Sequence, residues 1–282
     1  MSGYNYITTY FFNLIYMIVV TVTFLIVMYF IIIKEDRSSS YQYRAYMLTI
    51  PDAVQRRRVF FNNHDNSRIP VEIVYGDDTR NIANARKYEH VIEPEYFEKA
   101  VEMYYDETVK RPTMSHFNVG AIGCYFGHMQ ILDKAINDGV KYALIFEDNV
   151  IVKSPKLYDE VERVIKERGD DFEAYFFHSL SHLPDPTERE KVLWIASTKC
   201  YLVHVPNMKR YLPSFVPMDN HVDLKFEDVI SKGARMYYRD MRKYIRIDRT
   251  QKSTIGHRGE EENLFFSRQY PKIPRSQLIK GY

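Results

Sequence analysis

Apolar and polar positions from residue 43 onward fall into two rhythms, short apolar runs and longer amphipathic stretches, as a layered α/β domain requires. The clearest unit lies at residues 118–152. Ile122, Tyr125, Phe126, Met129, Leu132 and Ile136 recur at the spacing of one helix face, and Gly139 follows where a helix commonly stops. A buried strand comes next, Tyr-Ala-Leu-Ile-Phe at 142–146, closed by the polar triplet Glu147-Asp148-Asn149. Further strands are expected at 43–50, 71–75, 172–177 and 199–204. Asp52, with Gln55 three residues on, predicts a capping box opening a helix through residue 63. A surface helix is expected at 93–108, with Pro94 near its start. Another follows Ser154-Pro155 and runs to 168, with Leu157, Val161, Val164 and Ile165 facing inward and Gly169 ending it. A short helix at 207–212 precedes a longer one at 220–231, for which Asp219 is a candidate N-cap. Residues 178–189 read as a polar loop, either a plain surface loop or a lid facing an acceptor.

The N-terminus follows a different pattern. Residues 11–33 are apolar without a single charge, long enough to cross a hydrocarbon layer of about 30 Å. A secretory signal would have a shorter core, a basic start and a small-residue cleavage site, and none of these is present. The expected organisation is therefore a tail at 1–10, a retained transmembrane anchor at 11–33, a polar linker at 34–42, one domain at 43–258 and a C-terminal tail at 259–282. Lys34 and Arg37 after the span favour a cytosolic domain by the positive-inside rule. The absence of any Asn-x-Ser/Thr sequon points the same way.

Composition narrows the function classes. With 39 Lys and Arg against 37 Asp and Glu, there is no global field to recruit nucleic acid. Two cysteines make no disulfide framework, and Cys124 and Cys200 read as buried thiols. The length suits one sizeable α/β domain with an accessory segment.

The triplet is the candidate chemistry. Oxygen-bearing side chains at the end of a buried strand are costly unless paired, and a hard divalent cation is one partner that suits them. Ligands of open α/β sheets also sit beyond the carboxyl ends of strands. The alternative is a strand end whose acids are solvated. Arg56, Arg57 and Arg58 on the expected first helix could meet a phosphate or form an exposed face, and Asp77-Asp78 suit a turn. The basic, tyrosine-bearing stretch 232–258 could cover a diphosphate, meet a membrane or guard a strand edge.

Gly-Ala-Ile-Gly-Cys-Tyr-Phe-Gly-His at 120–128, followed by Ala-Leu-Ile-Phe-Glu-Asp-Asn-Val at 143–150, resembles glycosyltransferase family 25, which includes lipooligosaccharide and collagen galactosyltransferases. Two positions depart: Gly127 stands where the family has Ser, and Asn149 where it has an acid. The resemblance implies a single GT-A-like nucleotide-sugar domain with a mostly parallel central sheet. It further implies an inverting, metal-dependent hexosyltransferase that moves galactose or glucose from a UDP-sugar to a hydroxyl of a glycan or glycoprotein. Mn²⁺ or Mg²⁺ would be held by Glu147, Asp148 and Asn149. His257 is added to them from Ser253-Thr254-Ile255-Gly256-His257, which resembles the family's closing loop. Arg56, Arg57 and Asp148 would face the nucleotide. Asp219, in Pro217-Met218-Asp219, would be the base, with Asp223 as runner-up. Membrane-anchored glycosyltransferases commonly place this domain in the lumen, so the side of the membrane stays open between lumen and cytosol. Two rivals also stand: a non-catalytic, membrane-anchored binding or structural protein of the same fold, and a hydrolase of nucleotide sugars.

Overall fold

The computed structural model describes residues 16–26, 28–29, 43–105, 119–250 and 279–280. The chain divides into two units, 1–42 and 43–282. In the first, residues 16–26 and 28–29 are helical, and their large apolar side chains are exposed. Thr21 and Thr23 return their hydroxyls to the carbonyls of Met17 and Val19, so the apolar helix satisfies its own polar groups. Among the described residues no helix is long and apolar enough to cross a membrane. The rest of the expected 11–33 span lies outside the described residues.

The second unit runs β1 (Arg44–Thr49), α1 (Val54–Asn63), β2 (Val71–Tyr75), α2 (Ile82–Arg86), α3 (Pro94–Tyr105), α4 (Val119–Asn137), β3 (Tyr142–Glu147) and β4 (Val150–Val152). It continues through α5 (Lys156–Arg168), β5 (Ala174–Phe176), β6 (Ser181–Pro184), β7 (Lys191–Ala196), β8 (Cys200–His204), α6 (Val205–Lys209), α7 (Val222–Ser231), β9 (Met236–Tyr238), β10 (Ile245–Ile247) and β11 (Ile279–Lys280). Nine described strands make one sheet in the order β11-β6-β7-β9-β5-β8-β3-β1-β2. β2, β1 and β3 pair in parallel, as do β5 and β9, while β8 runs antiparallel between β3 and β5. Six strands therefore point one way and three, β8, β7 and β11, the other. The sheet is mixed, and its parallel run is the end that carries the triplet. β4 leaves it to pair antiparallel with β10.

β3 is buried along its whole length, which is why its sequence is continuously apolar instead of alternating. Its side chains still alternate between faces. Ala143 and Ile145 join the core that contains Ile122, Tyr125 and Phe126 of α4. Phe146 meets Phe60 of α1 edge-on, with centroids 5.5 Å apart, in an aromatic cluster completed by His64 and Tyr158. Glu147 continues the α4 side and Asp148 the α1 side.

Three local expectations change. Ala53, not Asp52, precedes α1, and no side chain caps that helix, so the capping box does not form. Asp219 does not cap α7, which starts at Val222 after His221; it pairs with Lys225 instead. The supposed loop 178–189 contains β6 and leads into β7, a hairpin whose second strand, Lys-Val-Leu-Trp-Ile-Ala, buries Val192, Trp194, Ile195 and Ala196.

Candidate active site

A cleft opens at the carboxyl ends of β1, β2 and β3. It is lined by Thr49 and Ile50 after β1, Gly76 to Thr79 after β2, Gly120, Gly123 and Cys124 of α4, and Glu147 and Asp148. The glycines of the 120–128 motif have a packing reason here. A Cβ on Gly123 would lie on the Asp77 carbonyl oxygen and 2.7 Å from Thr79 Oγ1, to which the Gly123 amide donates at 2.8 Å. A Cβ on Gly127 would lie 2.5 Å from Leu48 Cδ1. The helix is thereby drawn against the β1 and β2 ends, and Leu48 occupies the space that the family's serine would need. Asp77 and Asp78 are turn residues: Asp77 accepts from Tyr88 and pairs with Lys87, and Asp78 is held by Arg80.

The triplet does not converge on one point. Asp148 Oδ1 accepts from Arg56 at 3.0 Å and Oδ2 from Thr49 at 2.7 Å, all three residues being buried. Burial pushes the Asp148 carboxyl up, against the opposing pull of Arg56 and Thr49. Glu147 turns to the other face: Oε2 accepts from Lys199 at 2.6 Å, Oε1 from Thr198 at 2.9 Å, and His128 Nε2 stands 3.7 Å away. Burial alone would raise the Glu147 carboxyl, but the Lys199 ammonium and His128 outweigh it and hold it well below the usual carboxylate range. Asn149 lies in the turn to β4. Its carbonyl accepts from the Asp248 amide at 2.7 Å, while its buried Oδ1 has no hydrogen-bond partner among the described residues.

Of the other expected residues, Arg57 goes elsewhere, donating to the carbonyls of Ile50 and Pro51 and covering the Tyr75 ring. Arg58 is exposed. Asp219 is about half exposed in its pair with Lys225, at 2.7 Å, and does not line the cleft. Asp223, in the first turn of α7, lies within electrostatic reach of Lys199, Glu147 and the cleft residue Cys124. Burial raises its carboxyl above the usual range, and Glu147 adds to the rise against His221 and Lys199. His257 lies outside the described residues. Thr49, Thr198 and Lys199 were missed from the sequence. Their signal was weak, since only the strand pairing shows that the turn before β8 abuts the end of β3.

The residues present do not suit a hard divalent cation. Each oxygen of Glu147 and Asp148 already accepts from a side chain, and each carboxylate is matched by one buried or half-buried cation. Each of the two acids has its own base, and Asp223 adds a third carboxyl within electrostatic reach of Lys199 and Glu147. A dication on Glu147 would lie about 4.5 Å from the Lys199 ammonium and be repelled by roughly 7 kcal/mol at an effective dielectric of about 20. Among the described residues one softer group exists. Cys124 Sγ, His128 and Glu147 place one ligand atom each within 4.8 Å of one another. It shares Glu147 with Lys199, and burial first, then Glu147, pushes the Cys124 thiol up, so it fits a cation no better.

The fold and cleft define an α/β protein built to hold a ligand over the carboxyl ends of parallel strands. The sequence profile of glycosyltransferase family 25 (LPS biosynthesis protein) matches residues 42–221, and the chain belongs to that family of glycosyltransferases. The structure is remotely similar to a glycosyltransferase involved in the glycosylation of the major capsid of PBCV-1, with 13% identity over 70% of this chain and 81% of that chain and a TM-score of 0.38. Mouse xyloside xylosyltransferase 1 has 8% identity over 71% and 84% of the two chains, with a TM-score of 0.39. A nucleoside-diphosphate-sugar pyrophosphorylase from Vibrio cholerae RC9 has 12% identity and a TM-score of 0.27. That likeness spans 44% of this chain and 59% of that one, under two thirds of its length. No curated protein matches the chain at significant similarity.

Proposed function

We propose that this family 25 glycosyltransferase is held to a membrane by residues 11–33 and transfers a hexose, galactose or glucose, from a UDP-sugar to a hydroxyl of a glycan or glycoprotein. The observation that carries the reading is the cleft beyond the parallel strands. It is lined by Gly76, Gly120 and Gly123 and by the carboxylates Glu147 and Asp148. The reaction is one direct displacement. The acceptor oxygen bonds to the anomeric carbon as the carbon–oxygen bond to the diphosphate breaks, the bonding electrons leave with UDP, and the hydroxyl proton passes to a carboxylate. Neither candidate base lines the cleft, and Asp223 is the better of the two because its carboxyl is raised toward the working pH and lies within electrostatic reach of the cleft residues Glu147 and Cys124.

The test is UDP release by the full chain in detergent, against a panel of nucleotide sugars with and without glycan acceptors. Release that depends on acceptor supports transfer. Equal release without acceptor would make the protein a hydrolase, and none with any donor would sink the enzymatic reading. Asp223→Asn should lower turnover by on the order of 10²- to 10⁴-fold. Asp219→Asn should retain turnover. The reverse ranking would move the base to Asp219.

A further inference from the structure

We propose that this active site works without a divalent cation, because the two carboxylates of its triplet are already held by Arg56 and Lys199. The proposal rests on the glycosyltransferase reading above and deepens it. Strand alternation separates the two carboxylates of the triplet. Asp148 is sent to α1, where Arg56 meets it at 3.0 Å, and Glu147 to the α4 side, where Lys199 meets it at 2.6 Å. These are enclosed pairs. The side-chain exposures are 8% and 6% for Arg56 and Asp148, and 18% and 12% for Lys199 and Glu147. Thr49 and Thr198 take the remaining oxygens at 2.7 and 2.9 Å. A cation site needs carboxylates whose free lone pairs converge and whose charge is unmatched. Here the lone pairs diverge and each carboxylate is already paired with a cation.

Asn149 fits the same account. It stands where the family pattern has an acid, so this chain has one negative charge fewer where a metal would otherwise be neutralised. Its backbone carbonyl anchors the turn through Asp248; its side-chain Oδ1 is buried without a partner among the described residues, and the residue does not line the cleft. Glu147 and Asp148 line the cleft, and each reaches it already paired with its own cation. The acceptor proton goes to Asp223.

The experiment is a titration of the full chain in detergent with Mn²⁺ alone, reading free Mn²⁺ by its paramagnetic resonance signal, alongside turnover in EDTA and in Mn²⁺. The wild type should take up no more Mn²⁺ than Asp148→Asn, and turnover should change by less than about twofold between the two buffers. Lys199→Met frees Glu147, so it should gain Mn²⁺ binding. One equivalent of Mn²⁺ bound by the wild type and lost in Asp148→Asn or Glu147→Gln would overturn the proposal. Turnover abolished by EDTA and restored by Mn²⁺ would overturn it too. Absence of turnover in both buffers would instead count against the glycosyltransferase reading, and the Mn²⁺ titration, which needs no turnover, still decides whether the site holds a cation. That wild-type titration stands whether or not Lys199→Met folds.

Discussion

Gly123 and Gly127 differ in what stands opposite them, and their substitutions should differ accordingly. Gly123→Ala drives its methyl into the Asp77 backbone, which cannot move without opening the cleft wall. A loss of about 1–3 kcal/mol is expected in chemical denaturation, despite alanine's better helix propensity. Gly127→Ala meets only the tip of Leu48, so it should cost less, and Leu48→Val should relieve it. A larger loss for Gly127→Ala would mean that the helix is set by Leu48 and not by the turn after β2. Among titrating residues, His178 is the clearest case. Burial first, then the Lys199 charge, lowers it from 6.5 to about 4, and its Nδ1 lies 2.9 Å from Ser197 Oγ. Between those values the unfolded chain holds a proton that the folded chain refuses. Stability is therefore full above pH 6.5 and falls as pH drops toward 4, by up to roughly 3 kcal/mol. Stability measured from pH 7 to pH 4 in wild type and His178→Gln should show a shallower fall in the variant.

Helix α1 is the element that turns a strand end into a site. It has no side-chain cap and a weakly amphipathic sequence, and its interior contacts are Arg56 and Phe60. Phe60 packs on Phe146 while Arg56, one turn earlier, reaches Asp148, so a single helical face supplies both the packing and the charge. Removing one partner from such an enclosed pair leaves the other charge buried. Arg56→Gln should therefore destabilise by about 3–5 kcal/mol. Arg57→Ala loses bonds to loop carbonyls and a contact over the Tyr75 ring, leaves no buried charge unpaired, and should cost about 1 kcal/mol. Equal effects in thermal or urea unfolding would show that Asp148 finds another partner. The triple arginine was legible in the sequence, but the division of labour within it was not, because it depends on which residue lies one turn before Phe60 on the face toward β3.

In the proposed function the two units of the chain have separate jobs. The domain at 43–282 contains its own core, from Tyr46 in β1 to Met236 in β9, and the cleft lies wholly within it. Residues 43–282 should therefore unfold within a few degrees of the full chain, and a much lower midpoint would show that the first unit supports the fold. The apolar run at 11–33, with the exposed apolar helix at 16–26, should keep the full chain in membranes through alkaline carbonate extraction. Release into the supernatant would remove the anchor from the proposed function.

Local rules reached the helix α4, the strand β3, the triplet that ends it and the family motif, because each is written in contiguous residues with a strong period or composition. They did not reach β7, whose Trp-bearing run lacks strict alternation, or the hairpin it forms with β6. They also named the triplet without its geometry. Neighbouring residues on a strand face opposite ways, so Glu147 and Asp148 could share a ligand only if the chain turned between them. Which cation each acid would meet was set by elements far away in the chain: Arg56, 92 residues before Asp148, and Lys199, 52 residues after Glu147. A sequence lists charges in order, but the sum of charge inside a cluster, and so whether a cation is welcome there, is a property of which ones the fold brings within a few ångströms of each other.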